Sequence, residues 1–205
     1  MENQNTFRVL LALLIIFFVA HRGYYHKKLA HLIDATPKAK KDKSSSVLAN
    51  VMGLAAGLSV LAYIINPQWM SWSTLQFPVW LRWIGVGMAL VGFVLLQWSQ
   101  KTLGQNWSSE PRLLEGQELV TGGPYRWIRH PIYTAFILIA TAPLLISANW
   151  SIGCLLIGMI AIDITSRITT EESLMMAQFG DKYRTYMQST GRLIPRLRVA
   201  SARRN

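Results

Sequence analysis

Two polar stretches, separated by an apolar hairpin, hold the residue types from which chemistry could be built. The first is LVTGGPYRWIRHPIY, Leu119 to Tyr133. Gly122-Gly123-Pro124 predicts a sharp turn, and Pro131 suits the first position of a helix, where a missing N–H costs nothing. A helix opening at His130-Pro131, flanked by Arg126 and Arg129, suits an anionic group such as a carboxylate. Tyr125, Trp127 and Tyr133 add aromatic faces that can hold an adenine or a cation. A basic-aromatic anchor at a membrane interface has the same composition, so both readings stand. The second stretch carries Asp163, Arg167 and Glu171 at intervals of four, with Glu172 beside them. On one helix this sets acid, base and acid along a face that drifts by roughly 40° per step. A salt-bridge ladder easing the helix out of lipid accounts for Asp163. Arg167 and Glu171 would sit at headgroup depth, opposite the start of the preceding span, where a fixed Arg can clamp a carboxylate or phosphate bidentately.

The elements that must position these residues are apolar. Five segments stand out, at roughly 7–25, 47–66, 79–100, 132–148 and 150–166. The second runs about twenty residues without a charge, which at about 1.5 Å per residue crosses the roughly 30 Å hydrocarbon layer. The fourth and fifth are joined by a tight Ser147-Ala148-Asn149-Trp150 turn and predict a helical hairpin. The first is the shortest clean run, Val9 to Ala20. Its basic cluster follows the run instead of preceding it, the opposite of a secretory signal. Ala49, Gly53 and Gly57 recur every four residues on the second span and predict a close helix approach. Gly180, after Phe179, suits a helix C-cap, with a short amphipathic piece and a basic tail beyond it.

Half of the 205 residues are apolar, yet the formal net charge is +11. Apolar mass in lipid and charge in loops reconcile the two, and nucleic-acid binding is not needed to explain the basic balance. Of 21 Lys and Arg residues, 19 fall in 21–46, 101–130 and 166–205, and only Arg8 and Arg82 lie elsewhere. Five spans put those three segments on one side, which the positive-inside rule makes cytosolic, with the N-terminus outside. Trp69, Trp72, Trp80, Trp83 and Trp150 then mark the outer interface, and Trp98, Trp107 and Trp127 the inner one. Residues 36–46 form a solvated basic linker whose lysines either simply set the topology or also lie against anionic headgroups. The expected fold is therefore all-α and polytopic: one domain over 1–205, with three spans in 1–100 and a second half built on the hairpin 131–166.

Several function classes are disfavoured. No internal repeat or mid-membrane charge in spans two to four supports a transporter. Cys154 is the single cysteine, and His21, His26 and His31, five apart, fall on different helix faces, so no metal site is expected. No Gly-rich phosphate loop or nucleophile elbow is present. Any cofactor must then bind in a pocket made by the membrane helices and their cytosolic extensions.

The two polar stretches resemble the signatures of the isoprenylcysteine carboxyl methyltransferase family and its phospholipid N-methyltransferase relatives. Gly123 to Tyr133 matches a GPYR–aromatic–x–RHP–x–Y block. Arg167, Glu171, Glu172, Phe179, Gly180, Tyr183 and Tyr186 match an R-x-x-x-E-E…F-G-x-x-Y-x-x-Y block. The likeness runs from Leu103-Gly104-Gln105-Asn106-Trp107 to Pro195. It implies S-adenosylmethionine bound at the cytosolic face, with Arg167 and Glu171 catalytic. The cofactor positions would be Gln117, Leu119, Val120, Gly123, Tyr125, Arg129, His130, Pro131, Tyr133 and Glu172. Family members often carry His where this chain has Gln117, and Gly where it has Ala135. The substrate class implied is amphiphilic or prenylated, an isoprenylcysteine carboxylate first and a phospholipid amine as alternative. A non-enzymatic membrane scaffold with both blocks as anchors is the reading of another class. A carboxylate nucleophile needs only desolvation and a counter-ion, assigned to Arg167. An amine would need a base, Glu171 or Glu172.

Overall fold

The computed structural model describes residues 2–33, 43–106 and 116–196, and among these residues the fold is helical. Its α-helices are α1 (Glu2–Ile33), α2 (Lys43–Ile65), α3 (Val79–Leu103), α4 (Pro131–Ser147), α5 (Trp150–Phe179) and α6 (Asp181–Ser189). Four of them, α1, α2, α3 and α5, are long and apolar enough to cross a membrane. The 17 residues of α4 span about 25 Å, the lower end of a crossing. Exposed Leu, Ile and Val side chains line α1, α2 and α3, as expected of helices whose solvent is lipid. The linker residues 36–42, Trp107 and the basic tail beyond 196 lie outside the described residues.

Contact between α3 and α4 is the most extensive among the described helices. A Cβ on Gly85 would sit 2.7 Å from Leu145 Cβ, and one on Gly92 would sit 2.8 Å from Ile139 Cγ1. Small residues let two backbones approach where lipid supplies no hydrophobic drive. On α2, Ala49 is buried and Gly53 faces Met159 of α5, while Gly57 meets nothing within 4 Å. The anticipated small-residue stripe therefore packs over only part of its length.

The hairpin forms as expected. Ala148 takes a left-handed conformation at φ 49°, ending α4. Asn149 is completely buried. Its side chain accepts from Ile152 N–H at 3.2 Å to cap α5, and its Nδ2 donates to Met70 O and Ser73 Oγ. One orphan N–H at that helix start and both ends of the buried carboxamide therefore gain partners. The two basic residues outside the charged segments sit at this same end. Arg82 donates to Ile146 O at 2.9 and 2.7 Å, near the C-terminus of α4. Arg8 donates to Ile64 O and Ile65 O at the C-terminus of α2. Both neutralise helix-end carbonyls and the negative pole they carry.

The thirty residues of α5 extend about 45 Å, well beyond a bilayer core. Its last turns therefore project past α4's start and carry Arg167, Glu171 and Glu172. Gly180 (φ 51°) then donates its N–H to Met176 O and turns the chain into α6.

Candidate active site

A cavity of about 230 Å³ lies where α5 projects beyond the beginning of α4. The loop before the turn contributes Gln117, Leu119 and Val120 to its wall. The turn and the start of α4 contribute Tyr125, Arg129, His130 and Tyr133, and α5 contributes Asp163, Arg167 and Glu171. The two polar stretches thus converge on one space.

The local backbone explains the convergence. Gly123 (φ 54°) opens a 3-10 turn over Gly123–Arg126. A side chain there would be strained, and its Cβ would lie 2.7 Å from Thr102 Oγ1. The turn drives Pro124 and Tyr125 inward, and Tyr125 is buried. Arg126 and Trp127 go outward instead. Trp127 meets Trp98 edge-on with centroids 6.1 Å apart, and the Arg126 guanidinium lies 5.2 Å over the Trp127 ring. The first stretch therefore divides, with Tyr125 and Tyr133 in the cavity wall and Arg126 and Trp127 at the surface. Gly123, Pro131 and Glu172, grouped with the pocket on sequence, lie outside the cavity wall. Gly123 makes the turn, Pro131 begins α4, and Glu172 faces the other side of α5.

That other side is an ion cluster. Glu172 Oε1 accepts from Arg129 Nε at 3.2 Å, from His130 Nε2 at 3.2 Å and from Arg192 Nε at 3.1 Å. Arg192 Nη2 also donates to Oε2. Arg129 reaches further, to Met187 O at 3.0 Å and Thr190 O at 2.6 Å. Backbone pairing reinforces this, because Gly191 N–H donates to Trp127 O, Arg129 N–H to Gly191 O, and His130 N–H to Arg192 O. Thr134 Oγ1 donates to Leu193 O, and Tyr186 OH to Tyr125 O at 2.7 Å. The segment after α6 is thereby stitched along the loop that precedes α4. No periodic pattern in residues 190–193 announces this pairing.

On the cavity side, Tyr133 OH donates to Glu171. His130 stacks on Tyr133 with centroids 5.6 Å apart, and its Nδ1 lies 3.5 Å from Glu171 Oε2. One imidazole thus bridges two carboxylates, an arrangement that needs both ring nitrogens protonated. Arg167 Nε donates to Asp163 Oδ1 at 2.8 Å, so Asp163 holds the guanidinium from one turn below.

Burial opposes charge on His130, but hydrogen bonds and charge from Glu171 and Glu172 outweigh it and raise its pKa above the ordinary 6.5. The folded state thus favours the protonated ring. Its stabilising contribution is complete below about pH 6.5 and is lost as pH climbs through the raised folded value. The melting-temperature advantage of wild type over His130→Asn should accordingly shrink as pH rises above about 6.5. An advantage that does not vary with pH would refute the ionised bridge. Tyr125, pushed well above 10 by burial, stays neutral throughout.

Further cavity residues escaped the sequence reading. Phe18, His21 and Tyr25 come from α1, and Leu96 and Gln100 from α3. His21 Nε2 lies 3.0 Å from Gln97 Oε1, joining these two helices. No local signal marked Gln100, which lies at the polar end of α3 beside Ser99 and Lys101. Among the described residues no three His, Cys, Asp or Glu side chains gather as metal ligands.

Residues 84–177 match the family model described as the isoprenylcysteine carboxyl methyltransferase family. The chain is 31% identical over 129 residues to a protein-S-isoprenylcysteine O-methyltransferase of Tribolium castaneum, covering 57% of this chain and 42% of that protein. It is 26% identical over 206 residues to protein-S-isoprenylcysteine O-methyltransferase B of Arabidopsis thaliana, covering 94% of this chain and 96% of that one. It is also 26% identical over 199 residues to a methanethiol S-methyltransferase of Pseudomonas deceptionensis, covering 91% and 71%. The chain spans 66%, 42% and 33% of the length of three curated relatives it matches, the Tribolium protein among them. In fold it is similar to a solved eukaryotic intramembrane Ras methyltransferase, with a TM-score of 0.55 and 23% identity over 77% of this chain and 54% of that one.

Proposed function

We propose that the chain, whose residues 84–177 match the isoprenylcysteine carboxyl methyltransferase family model, transfers a methyl group from S-adenosylmethionine to an amphiphilic acceptor, an isoprenylcysteine carboxylate. The observation that carries this reading is the meeting of Arg167, Glu171, His130 and Tyr133 around one cavity at the end of the membrane helices. The lining suits the cofactor. Tyr125 and Tyr133 offer aromatic faces, Glu171 a carboxylate, Gln117 a carboxamide, and Leu119 and Val120 an apolar edge. When bound, S-adenosylmethionine supplies an electrophilic methyl carried on a positive sulfur.

The chain's own residues do the rest by orientation and charge. Glu171, held by the Tyr133 hydroxyl and the His130 ring, keeps negative charge in the cavity, where a cationic ligand is favoured. Arg167, fixed by Asp163, holds the acceptor carboxylate as counter-ion and aims its oxygen. That carboxylate is already ionised at neutral pH, so no general base is required. Phe18, Leu96, Ile132 and Phe136 form an apolar wall that excludes water and strengthens both charge interactions. The basic segments at this end support a cytosolic orientation, with the N-terminus outside and five helices spanning. The acceptor's lipid chain enters sideways from the membrane.

The test is product chemistry. Purified protein in lipid, given labelled methyl donor and a farnesylcysteine derivative, should form a base-labile methyl ester. Phosphatidylethanolamine and a small thiol, the acceptor class of the Pseudomonas relative, serve as competing substrates. A base-stable N-methyl or S-methyl product, with no ester, would overturn the carboxylate assignment. No transfer to any of the three would overturn the enzyme reading.

A further inference from the structure

Gln100 occupies α3 near its cytosolic end, is 5% exposed and lines the cavity. Among the described residues its Oε1 is a buried side-chain oxygen with no hydrogen-bond partner in the protein. The fold around it leaves that oxygen unused. The neighbouring cavity residues on the same helix, Leu96 and Leu103, are apolar. The helix end is already satisfied, because Gly104 N–H donates to the Gln100 backbone carbonyl. Ser99, beside it, returns its hydroxyl to Leu95 O at 2.7 Å. A Leu or Met at position 100 would continue the apolar wall at no desolvation cost, whereas a buried amide oxygen left unpaired is costly. Local rules broken in this way concentrate where a ligand completes the structure.

We propose that Gln100 is a ligand-recognition residue whose Oε1 accepts a hydrogen bond from an N–H or O–H group of a molecule bound in the cavity. The inference rests on the methyltransferase reading to the extent that the cavity's occupants are then a methyl donor and a methyl acceptor. The required chemistry is a neutral or cationic hydrogen-bond donor, because an amide oxygen repels a carboxylate. The acceptor's carboxylate is thereby directed to Arg167, while Gln100 selects a donor elsewhere on one of the two ligands. Hydroxyls and the amine of the cofactor are one source, and an amide or amine N–H of the acceptor is the other.

The experiment compares wild type, Gln100→Met, which keeps the volume and removes the amide, and Gln100→Glu, which keeps an accepting oxygen. Two readouts are needed: the rise in melting temperature on titration with S-adenosylhomocysteine, which involves no turnover, and the KM and kcat for a farnesylcysteine acceptor. Gln100→Met should fold and melt no lower than wild type without ligand. It should lose about tenfold in one quantity, the worth of one hydrogen bond. Weakened S-adenosylhomocysteine binding identifies the cofactor as donor, and raised acceptor KM with unchanged kcat identifies the acceptor. Gln100→Glu should recover part of that loss. Gln100→Met within twofold of wild type in both quantities overturns the inference, as does a Gln100→Met protein that melts lower or fails to fold. Wild type that neither binds S-adenosylhomocysteine nor transfers methyl groups defeats the methyltransferase reading itself. A wild type that does both, with an indistinguishable Gln100→Met, defeats only the role of Gln100.

Discussion

Arg167→Ala should lower methyl transfer by at least about a thousandfold while the protein remains folded and still binds S-adenosylhomocysteine. The size follows from what the guanidinium faces. Removing a preorganised charge that holds the reacting group costs about a hundredfold to a thousandfold. Here the loss also takes from Asp163, on the cavity wall, its partner at 2.8 Å, and that carboxylate then repels the acceptor more strongly. Arg167→Lys should recover little, because one ammonium cannot bond Asp163 and present a planar fork to the acceptor at once. Glu171→Gln is the companion variant. It preserves the shape beside Tyr133 and His130 but removes the charge, and about a hundredfold loss is expected. Steady-state kinetics, with melting curves in detergent as the folding control, decide the matter. Full activity in both variants would defeat the catalytic assignment.

The second large effect lies in the ion cluster beside the cavity. Arg129→Ala should destabilise the protein by about 3–5 kcal/mol, the range for breaking a largely buried ion pair by removing one partner. The Arg129 and Glu172 side chains are 11% and 12% exposed. Truncation would leave the carbonyls of Met187 and Thr190 without this donor. Two outcomes follow: a clear drop in melting temperature, and new protease cleavage in the chain beyond Gly180 as α6 and the segment 190–193 detach. Ligand binding should weaken as well, since Tyr183 and Tyr186 of α6 line the cavity. Arg129→Lys should behave much like Arg129→Ala, because a lysine cannot span a carboxylate and two carbonyls in the same geometry. An unchanged melting temperature and protease pattern would show that the cluster does not hold the C-terminal segment.

How much of this was readable beforehand differs by feature. The apolar segments became α1 to α5 because a stretch in lipid has few ways to satisfy its backbone except as a helix. The hairpin turn was legible in Ser147-Ala148-Asn149-Trp150, although the burial of Asn149 against Met70 and Ser73 was not. Local composition says nothing about a partner 76 residues away. Arg8 and Arg82 looked like stragglers from the charge asymmetry. Their role as donors to the ends of α2 and α4 depends on which helix ends lie side by side. The two acids at 171 and 172 were indistinguishable by type. Adjacent residues on a helix point about 100° apart, so Glu171 enters the cavity and Glu172 joins Arg129 and Arg192.

By itself the amino-acid order determined what short-range physics controls: which runs become membrane helices, where Pro131 and Gly180 begin and end them, and which polar side chains are candidates for chemistry. Only the tertiary structure decided how those candidates divide, with Arg126 and Trp127 at the surface, Glu172 in a clamp, and Gln100 brought in from an apolar span. That division is set by helix phase and by close contacts such as Gly92 on Ile139. Both depend on how whole helices pack, and packing joins residues far apart in the chain.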